Sequence, residues 1–420
     1  MKKMLLMLGA ILFASAIITS QVFAYNYINS SQFVRMPARN ATISTPDSVY
    51  YNPVGLVKLP DGFYTEIGNG FIFKNYSHEY GKASYTDNTT VLFAMYGGLI
   101  YKNSKGALFI SNWIPEGGGM SDYRNPYGIQ TINALQGTGL YSALTPSYIH
   151  AYKFWITIAT GGSYALADWL AITAGLRTNI HFYEAVIGFM KLGSVNKETT
   201  RATGVSGWAG LMITPIKEVN ITAMYASECI ARGKTTDKKM HHSTIDEARL
   251  PAYVALGLNV KPHEKVEVQV AYQVSFTEQK NYANSRISYF PTTGQLGREF
   301  SFNYANQFTP SLGTNIQDYK GKLTHSIGIG AEFRATDKLL LSCGVGYENA
   351  WLNPRVQNPL EPKLASIAVG AGFRYQATDT MNVDIGATKG TYFKDKMMYG
   401  LIKMKKDVWV LSIDLSTKWM

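Results

Sequence analysis

The chain has 420 residues, of which 46% are hydrophobic, and a formal net charge of +11. Beyond the first residues, no apolar run approaches the roughly 20 residues that a membrane-spanning helix needs, so helical spans are excluded. The basic residues are scattered along the chain, which argues against nucleic-acid binding and favours contact with lipid phosphates or an anionic ligand.

The first 24 residues have the pattern of an export signal. Lys2 and Lys3 precede an apolar run from Met4 to Ile18, and Val22 and Ala24 occupy the −3 and −1 positions before Tyr25. This order predicts a signal peptide over 1–24 that is cleaved before Tyr25. The alternative is an N-terminal membrane anchor, for which the apolar run is short.

The segment that follows, Tyr25–Pro60, is irregular but partly apolar. It lacks a clean period of 2 or 3.6, and an Asn52-Pro53 step marks a turn, yet Tyr and Val are frequent in it. A compact irregular segment needs surroundings that satisfy its backbone groups. We therefore predict that residues 25–60, called the hatch segment below, plug the inside of the structure formed by residues 61–420.

The rest of the chain alternates between polar and apolar residues. Val266, Val268, Val270 and Tyr272 fall on one face of a run whose other face carries Glu267, Gln269 and Gln273. A period of 2 predicts β-strands. The pattern gives fourteen strands, near 62–75, 88–102, 105–115, 143–166, 169–190, 201–214, 219–230, 250–261, 264–277, 323–335, 338–349, 363–376, 380–392 and 405–418. Cys229 and Cys343 are expected on outward faces as small apolar residues rather than in a disulfide.

Short and long connections alternate between these strands. The short ones include 103–104, 167–168 and 262–263, and the long ones include 116–142, 231–249 and 278–322. Outer-membrane barrels have this arrangement, with short periplasmic turns and long external loops, whereas a soluble sandwich has no reason for it. We predict an all-β fold, a 14-stranded antiparallel transmembrane β-barrel. Its lumen is too wide for its own side chains to close, which fits a hatch segment inside it.

The order of several motifs resembles the outer-membrane long-chain fatty acid transporter family, which includes aromatic-hydrocarbon uptake channels. Asp47 to Leu56 looks like the family's hatch motif, with Val54 where Ala is usual. The run Gly106–Gly117 resembles the family's third strand, and Thr214–Tyr225, Leu250–Gly257 and Ala335–Leu341 are similar to its recurring hairpins. The resemblance covers nearly all of the chain after residue 24.

The resemblance implies a function and a set of site residues. It implies passive uptake of hydrophobic small molecules such as long-chain fatty acids, through a lumen pocket and past the hatch to a lateral opening in the barrel wall. The hatch residues it implies are Asp47, Tyr50, Tyr51, Asn52, Pro53, Val54 and Gly55. Those at the lateral opening are Ser111, Trp113, Pro115 and Gly117. The basic loop 231–249 differs from the apolar external loops of the family.

Strand parity nominates residues that face the lumen. Arg177 and His181 share one face of a strand, and the guanidinium of Arg177 suits the carboxylate of a ligand. Arg177 could instead pair with a lumen acid, such as Glu267, Asp384 or Asp414. Arg334 and Arg374 also point inward near periplasmic turns, where we expect them to brace the hatch segment, and His181 is expected to be a hydrogen-bonded lumen residue.

We find no pattern that marks an enzyme, and we expect no cofactor and no metal site. Adjacent His241 and His242 lack further ligands at metal-site spacing, so a solvated loop is the simpler interpretation. The expected partners are a lipid or hydrophobic small-molecule ligand and outer-membrane lipid, with no nucleic acid. A partner-binding or secretion-associated surface barrel without transport activity is the alternative, in which the external loops would hold another protein.

Overall fold

The alternating sequence forms fourteen long antiparallel strands. In chain order they are β1 Gly62–Tyr80, β2 Val91–Lys102, β3 Gly106–Trp113, β4 Tyr148–Ala167, β5 Leu170–Phe189, β6 Ser194–Ile216, β7 Val219–Ala226, β8 Tyr253–His263, β9 Val266–Ser275, β10 Thr324–Arg334, β11 Leu339–Glu348, β12 Ser366–Gln376, β13 Met381–Tyr392 and β14 Ile402–Trp419. The computed structural model describes residues 30–80, 83–87, 89, 91–115, 119–123, 148–189, 194–237, 242–277, 322–350, 364–393, 395–397 and 402–419.

The strands close into a barrel because the first one pairs with the last. β1 pairs with β14 from Phe63 opposite Trp419 to Glu79 opposite Lys403, and its other edge pairs with β2. Consecutive strands pair around the rest of the wall, with β7 joined to β8. The predicted 14-stranded antiparallel barrel is confirmed. The signal peptide 1–24 and residues 25–29 of the hatch segment lie outside the described residues.

Short strands extend the wall in a region that the sequence analysis assigned to a loop. Cys229–Asp237 and His242–Leu250 form a hairpin, and the first of them pairs with the early part of β6. Much of the predicted loop 231–249 is therefore strand, in which Ala231 and Thr235 face inward while Arg232 and Lys234 face outward. Ala83–Thr86, Gly119–Tyr123 and Asp395–Met397 are the remaining short strands.

The predicted outward position of Cys229 is wrong, whereas that of Cys343 agrees with its exposure. In β7 the even-numbered residues face the lumen, but after Ser227 and Glu228 the odd-numbered ones do, so Cys229 is buried. A break that shifts the parity by one residue moves every later side chain to the opposite face.

The outer surface of the wall is apolar. Large side chains on outward positions are about half exposed, among them Leu108, Leu176, Val205 and Ile413, and the alternate positions carry buried polar residues such as Asn179, Asn259 and Gln269. This pattern is that of a transmembrane barrel, with a lipid-facing exterior and a polar lumen. Among the described helices, none has the length and apolar character required to traverse a bilayer.

Arginine at Ile413 should destabilise the barrel strongly. Ile413 is exposed on β14 between the outward residues Trp409 and Trp419, so the new charge would face the hydrocarbon near mid-bilayer, at a cost of about 2–4 kcal/mol. Urea-dependent folding into lipid vesicles measures the change. Asp379→Arg, in the exposed turn between β12 and β13, is the control and should be nearly neutral. Equal effects of the two substitutions would contradict the proposed lipid-facing surface.

Residues 30–60 of the hatch segment lie inside the barrel. They form two short helices, α1 Ser31–Arg35 and α2 Ser48–Tyr51, and two 3₁₀ helices, Arg39–Ala41 and Pro53–Lys58. Ser30 begins α1, since its hydroxyl accepts a hydrogen bond from the Phe33 amide at 3.3 Å. Nearly all of these residues are buried. The barrel wall therefore covers the segment and surrounds the backbone N–H and C=O groups that its irregular structure leaves without regular hydrogen bonds.

Inward-facing glycines let the backbone of the hatch segment lie directly on the wall. A Cβ atom at Gly328 of β10 would overlap the carbonyl oxygen of Pro37, and one at Gly370 of β12 would overlap that of Val34. A side chain at either position would push α1 and the residues after it away from the wall.

Candidate functional site

A buried ion-pair network joins the hatch segment to the wall. The Arg35 side chain has no exposed surface; its Nη2 lies 3.0 Å from Glu332 Oε1, and its Nη1 pairs with Asp384. Arg374 contacts the same aspartate, with Nε 2.9 Å from Asp384 Oδ2, and lies 3.5 Å from Asp47. Two guanidiniums thus hold α1 and the start of α2 against β10, β12 and β13.

Residues Asn52 to Gly55 of the hatch segment form a tight turn directly after α2. Asn52 Nδ2 donates to the Thr42 carbonyl at 2.6 Å, and the Gly55 amide donates to the Asn52 carbonyl at 2.9 Å. At Gly55 a Cβ atom would lie 2.7 Å from the Thr42 oxygen, so only glycine fits without displacement. Ser163 Oγ of β4 donates to the Pro53 carbonyl at 2.7 Å.

Apolar contacts complete the seat of this turn. Val54 is 1% exposed and packs in a cluster with Ile43 of the hatch segment, Ala171 of β5 and Met212 of β6. The neighbouring Tyr51 is buried, with its hydroxyl 3.4 Å from Asp47 Oδ2. All seven predicted hatch residues, from Asp47 to Gly55, are therefore buried against the wall or against each other.

The wall has an unpaired edge between β2 and β3. Pairing between these strands runs from Lys102 opposite Ala107 to Gly97 opposite Asn112 and stops there. Beyond that point Val91–Tyr96 pair with β1, and within the described part of the chain no strand covers their other edge. The chain leaves the strand after Trp113, and Ile114 and Pro115 are buried outside it; Gly117 lies outside the described residues.

The hatch segment packs against this edge. The Tyr50 ring meets Trp113 edge-on, with centroids 6.0 Å apart, and meets Tyr96 likewise at 5.5 Å. Ser111 is buried beside them, and its hydroxyl has no hydrogen-bond partner among the described residues. The structure thus brings Ser111, Trp113 and Pro115 together with Tyr50, although they are distant in sequence.

Arg177 is a buried lumen cation with no acid beside it in the described part of the chain. Its side chain is 7% exposed, Nη1 lies 3.3 Å from the Tyr253 hydroxyl, and the guanidinium carbon is 5.4 Å from that ring centroid. Of the three acids proposed as its alternative partners, Glu267 pairs with Lys261, and Asp384 pairs with Arg35 and Arg374. The third, Asp414, forms no ion pair within the described chain and accepts a hydrogen bond from the Ser31 amide at 2.9 Å. Among the described residues no carboxylate forms an ion pair with Arg177, and its Nε has no hydrogen-bond partner.

His181 and Arg334 lie in different surroundings. His181 is buried, and its ring centroid is 4.7 Å from that of Trp155. Arg334 shares the parity of the inward Glu332 but is exposed, because it is the last residue of β10 and extends past the rim of the lumen. Its expected role in bracing the hatch segment is therefore wrong, while Arg374 makes the contact that was expected of both.

Sequence analysis missed Arg35 and Glu332. An arginine inside a segment expected to be buried requires a carboxylate partner, and Glu332 stands at the inward parity of its strand, so both signals were present. The register that brings them together across 297 residues was not readable from the sequence.

A small cavity lies beside the hatch segment. A cavity of about 30 Å³ lies between α1, the residues that follow it and strands β8 to β12. It is lined by Phe33, Asn40, Gln273, Ser326 and Glu348, among others. This volume accommodates about two water molecules.

No protein-family model matches this sequence, and no curated protein matches it. Solved structures do match. A FadL homologue from Pseudomonas aeruginosa aligns over 94% of this chain and 100% of its own, with 11% identity and a TM-score of 0.69. The toluene transporter TodX from Pseudomonas putida aligns over 96% and 100%, with 13% identity and a TM-score of 0.67. The toluene transporter TbuX from Ralstonia pickettii aligns over 95% and 100%, with 14% identity and a TM-score of 0.63. The resemblance expected from the sequence is confirmed for the fold.

Proposed function

We propose that this chain is an outer-membrane channel for the passive uptake of hydrophobic small molecules. The observation that carries the proposal is the unpaired edge between β2 and β3, which lies against the hatch residue Tyr50. An opening in the wall of a barrel that has an apolar exterior leads into lipid rather than into water. The fold shared with the toluene transporters TodX and TbuX supports the same role.

The passage has three parts. A ligand enters the lumen from the side of the long connections. In the lumen, the buried Arg177 binds the carboxylate of a ligand that has one. Movement of α2 then separates Tyr50 from Trp113 and Tyr96. The ligand leaves between β2 and β3, and burial of its apolar surface supplies about 0.8 kcal/mol per methylene. No covalent step is required.

Fixing the hatch segment to the wall with a disulfide should stop uptake reversibly. A Cβ atom at Gly98 of β2 would lie 3.2 Å from Val49 Cγ1 of α2, which is close enough for Val49→Cys and Gly98→Cys to form a bond. In proteoliposomes the oxidised double variant should transport laurate and toluene at less than about a tenth of the wild-type rate, and a reductant should restore transport.

The two single variants, oxidised in the same way, are the matched controls, because they carry the same substitutions without the cross-link. They should transport at the rate of the reduced double variant. Undiminished transport through a fully cross-linked protein, verified by mass spectrometry, would contradict passage past α2.

A further inference from the structure

Three buried carboxylates from three parts of the chain converge where the hatch segment meets the wall. Glu66 lies in β1, Asp414 in β14 and Asp47 just before α2, and each is at most 2% exposed. One oxygen of each lies within 4.8 Å of the others. The pairing of β1 with β14 fixes two of them, since it places Asp414 opposite Gly68 and Glu66 opposite Ser416.

Polar atoms at this point lack hydrogen-bond partners. Glu66 Oε2, Asp414 Oδ1, Ser416 Oγ and the Tyr50 hydroxyl are all buried and have none among the described residues. Tyr50 and Ser416 are not acids, and they are 4% and 3% exposed. Ser416 lies directly opposite Glu66 in the pairing of β14 with β1, and both side chains are buried, so its hydroxyl lies beside that carboxylate.

Neighbouring charges do not compensate the acids. The network around the hatch segment contains five carboxylates, those of Asp47, Glu66, Glu332, Asp384 and Asp414, against the two guanidiniums of Arg35 and Arg374. The ion pairs engage Glu332, Asp384 and one oxygen of Asp47, while Glu66 and Asp414 have no ion pair within the described chain. Buried carboxylates of this kind need a proton or a bound cation.

We propose that Asp47, Glu66 and Asp414 bind a calcium ion that fastens the hatch segment to the barrel wall. Calcium is bound by oxygen ligands at about 2.4 Å, so two ligands of one ion are at most about 4.8 Å apart, and the three carboxylate oxygens lie within 4.8 Å of one another. Magnesium requires near-octahedral geometry and retains several waters, for which a dry site between a helix and two strands gives little room. The hydroxyls of Tyr50 and Ser416 would supply further oxygen ligands to the calcium ion.

The site links movement of the hatch segment to the ion. Glu66 and Asp414 belong to the strand pair that closes the barrel, whereas Asp47 adjoins α2, whose Tyr50 covers the edge between β2 and β3. Loss of the ion would leave three acids repelling one another across this contact. The inference does not depend on the transport function proposed above, because it concerns binding of the ion and attachment of the segment.

Calcium titration of the purified full chain tests the site. Protein treated with a chelator and freed of lipopolysaccharide should bind about one calcium ion per chain at neutral pH by calorimetry, and calcium should raise its thermal unfolding temperature. Terbium offered in place of calcium should show luminescence sensitised by Tyr50 and Tyr51. Glu66→Gln and Asp414→Asn should each weaken calcium binding by at least about tenfold.

Two further variants make the outcome decisive. Asp47→Asn alters a ligand without altering the wall, so it serves if the strand variants fail to fold. Glu267→Gln, a lumen acid paired with Lys261, is the matched control and should bind calcium as the wild type does. The proposal is overturned if wild type and Asp47→Asn bind calcium equally. It is also overturned if calcium changes nothing while Glu66→Gln stabilises the protein, which would mean that the acids share protons.

Discussion

Replacement of Arg35 with methionine is expected to make the barrel leak small hydrophilic solutes. Within the described chain Arg35 supplies the ion pair of Glu332, and it shares Asp384 with Arg374. Removal of one partner from a buried pair costs about 3–5 kcal/mol, because the other charge remains buried without compensation. That cost falls on the attached state of the hatch segment and not on the wall, whose strand pairing does not involve Arg35. Liposome-swelling rates with small sugars measure the leak.

Two variants bracket this result. Lys58→Met removes a cation from the same segment that has no ion pair in the described structure and should leave the barrel tight. Deletion of residues 25–60 gives the largest leak that the pore allows. Glu332→Gln combined with Arg35→Met should recover part of the barrier, because it removes the stranded charge. If Arg35→Met were as tight as the wild type, the network would not be what holds the segment.

The strands were predictable because two solvents impose the alternation. Each wall residue faces either lipid or lumen, so apolar and polar residues alternate with a period of 2. This alternation can be recognised in each segment separately, because it does not depend on distant parts of the chain. The prediction of 264–277 matches β9, Val266–Ser275, and the prediction of 380–392 matches β13, Met381–Tyr392, to within two residues. The short turns predicted at Ala167-Asp168 and Pro262-His263 lie one and two residues later in the structure, at Asp168-Trp169 and Glu264-Lys265.

Positions that depend on contacts across the barrel were not predictable. Nothing in the sequence around Gly328 tells that the backbone at Pro37 will lie against it, and Glu66 gives no sign of meeting Asp414 and Asp47. Counting alternate residues likewise does not reveal a break in the strand such as Ser227-Glu228, after which Cys229 faces inward. Parity also cannot tell that Arg334 lies past the end of the lumen. Each failure concerns a register or an end, which depends on partners distant in sequence.

The two ends of the hatch segment are held by different forces. Around α1, charges and direct backbone contact with glycines attach it to β10 through β13. Around α2, aromatic rings meet the edge of β2 and β3 edge-on, an arrangement worth about 0.5–1.5 kcal/mol per pair beyond burial. The start of α2 is also held by the ion pair of Asp47 with Arg374, so the weaker contacts are those of Tyr50, beside the unpaired edge. Movement of α2 while α1 stays attached is therefore less costly than release of the whole segment.

Replacement of Arg177 with leucine should reduce binding of carboxylate ligands selectively. Its guanidinium is buried, contacts Tyr253 and has no acid beside it within the described chain, so a ligand carboxylate would make its first ion pair. A hydrogen bond to a charged group contributes about 1.5–3 kcal/mol, which corresponds to roughly a 10- to 100-fold weaker laurate affinity in Arg177→Leu. Affinity for dodecanol, of equal chain length but uncharged, should hardly change. Fluorescence displacement in detergent gives both values.

Two substitutions separate charge from packing at this position. Arg177→Lys keeps a cation but loses the planar fork, so laurate affinity should fall only in part. Arg201→Leu removes an exposed arginine of β6 and should leave both ligands unaffected. Equal losses for laurate and dodecanol in Arg177→Leu would mean that the side chain shapes the pocket without binding the carboxylate. At this position the lumen would then select its ligand by apolar fit alone.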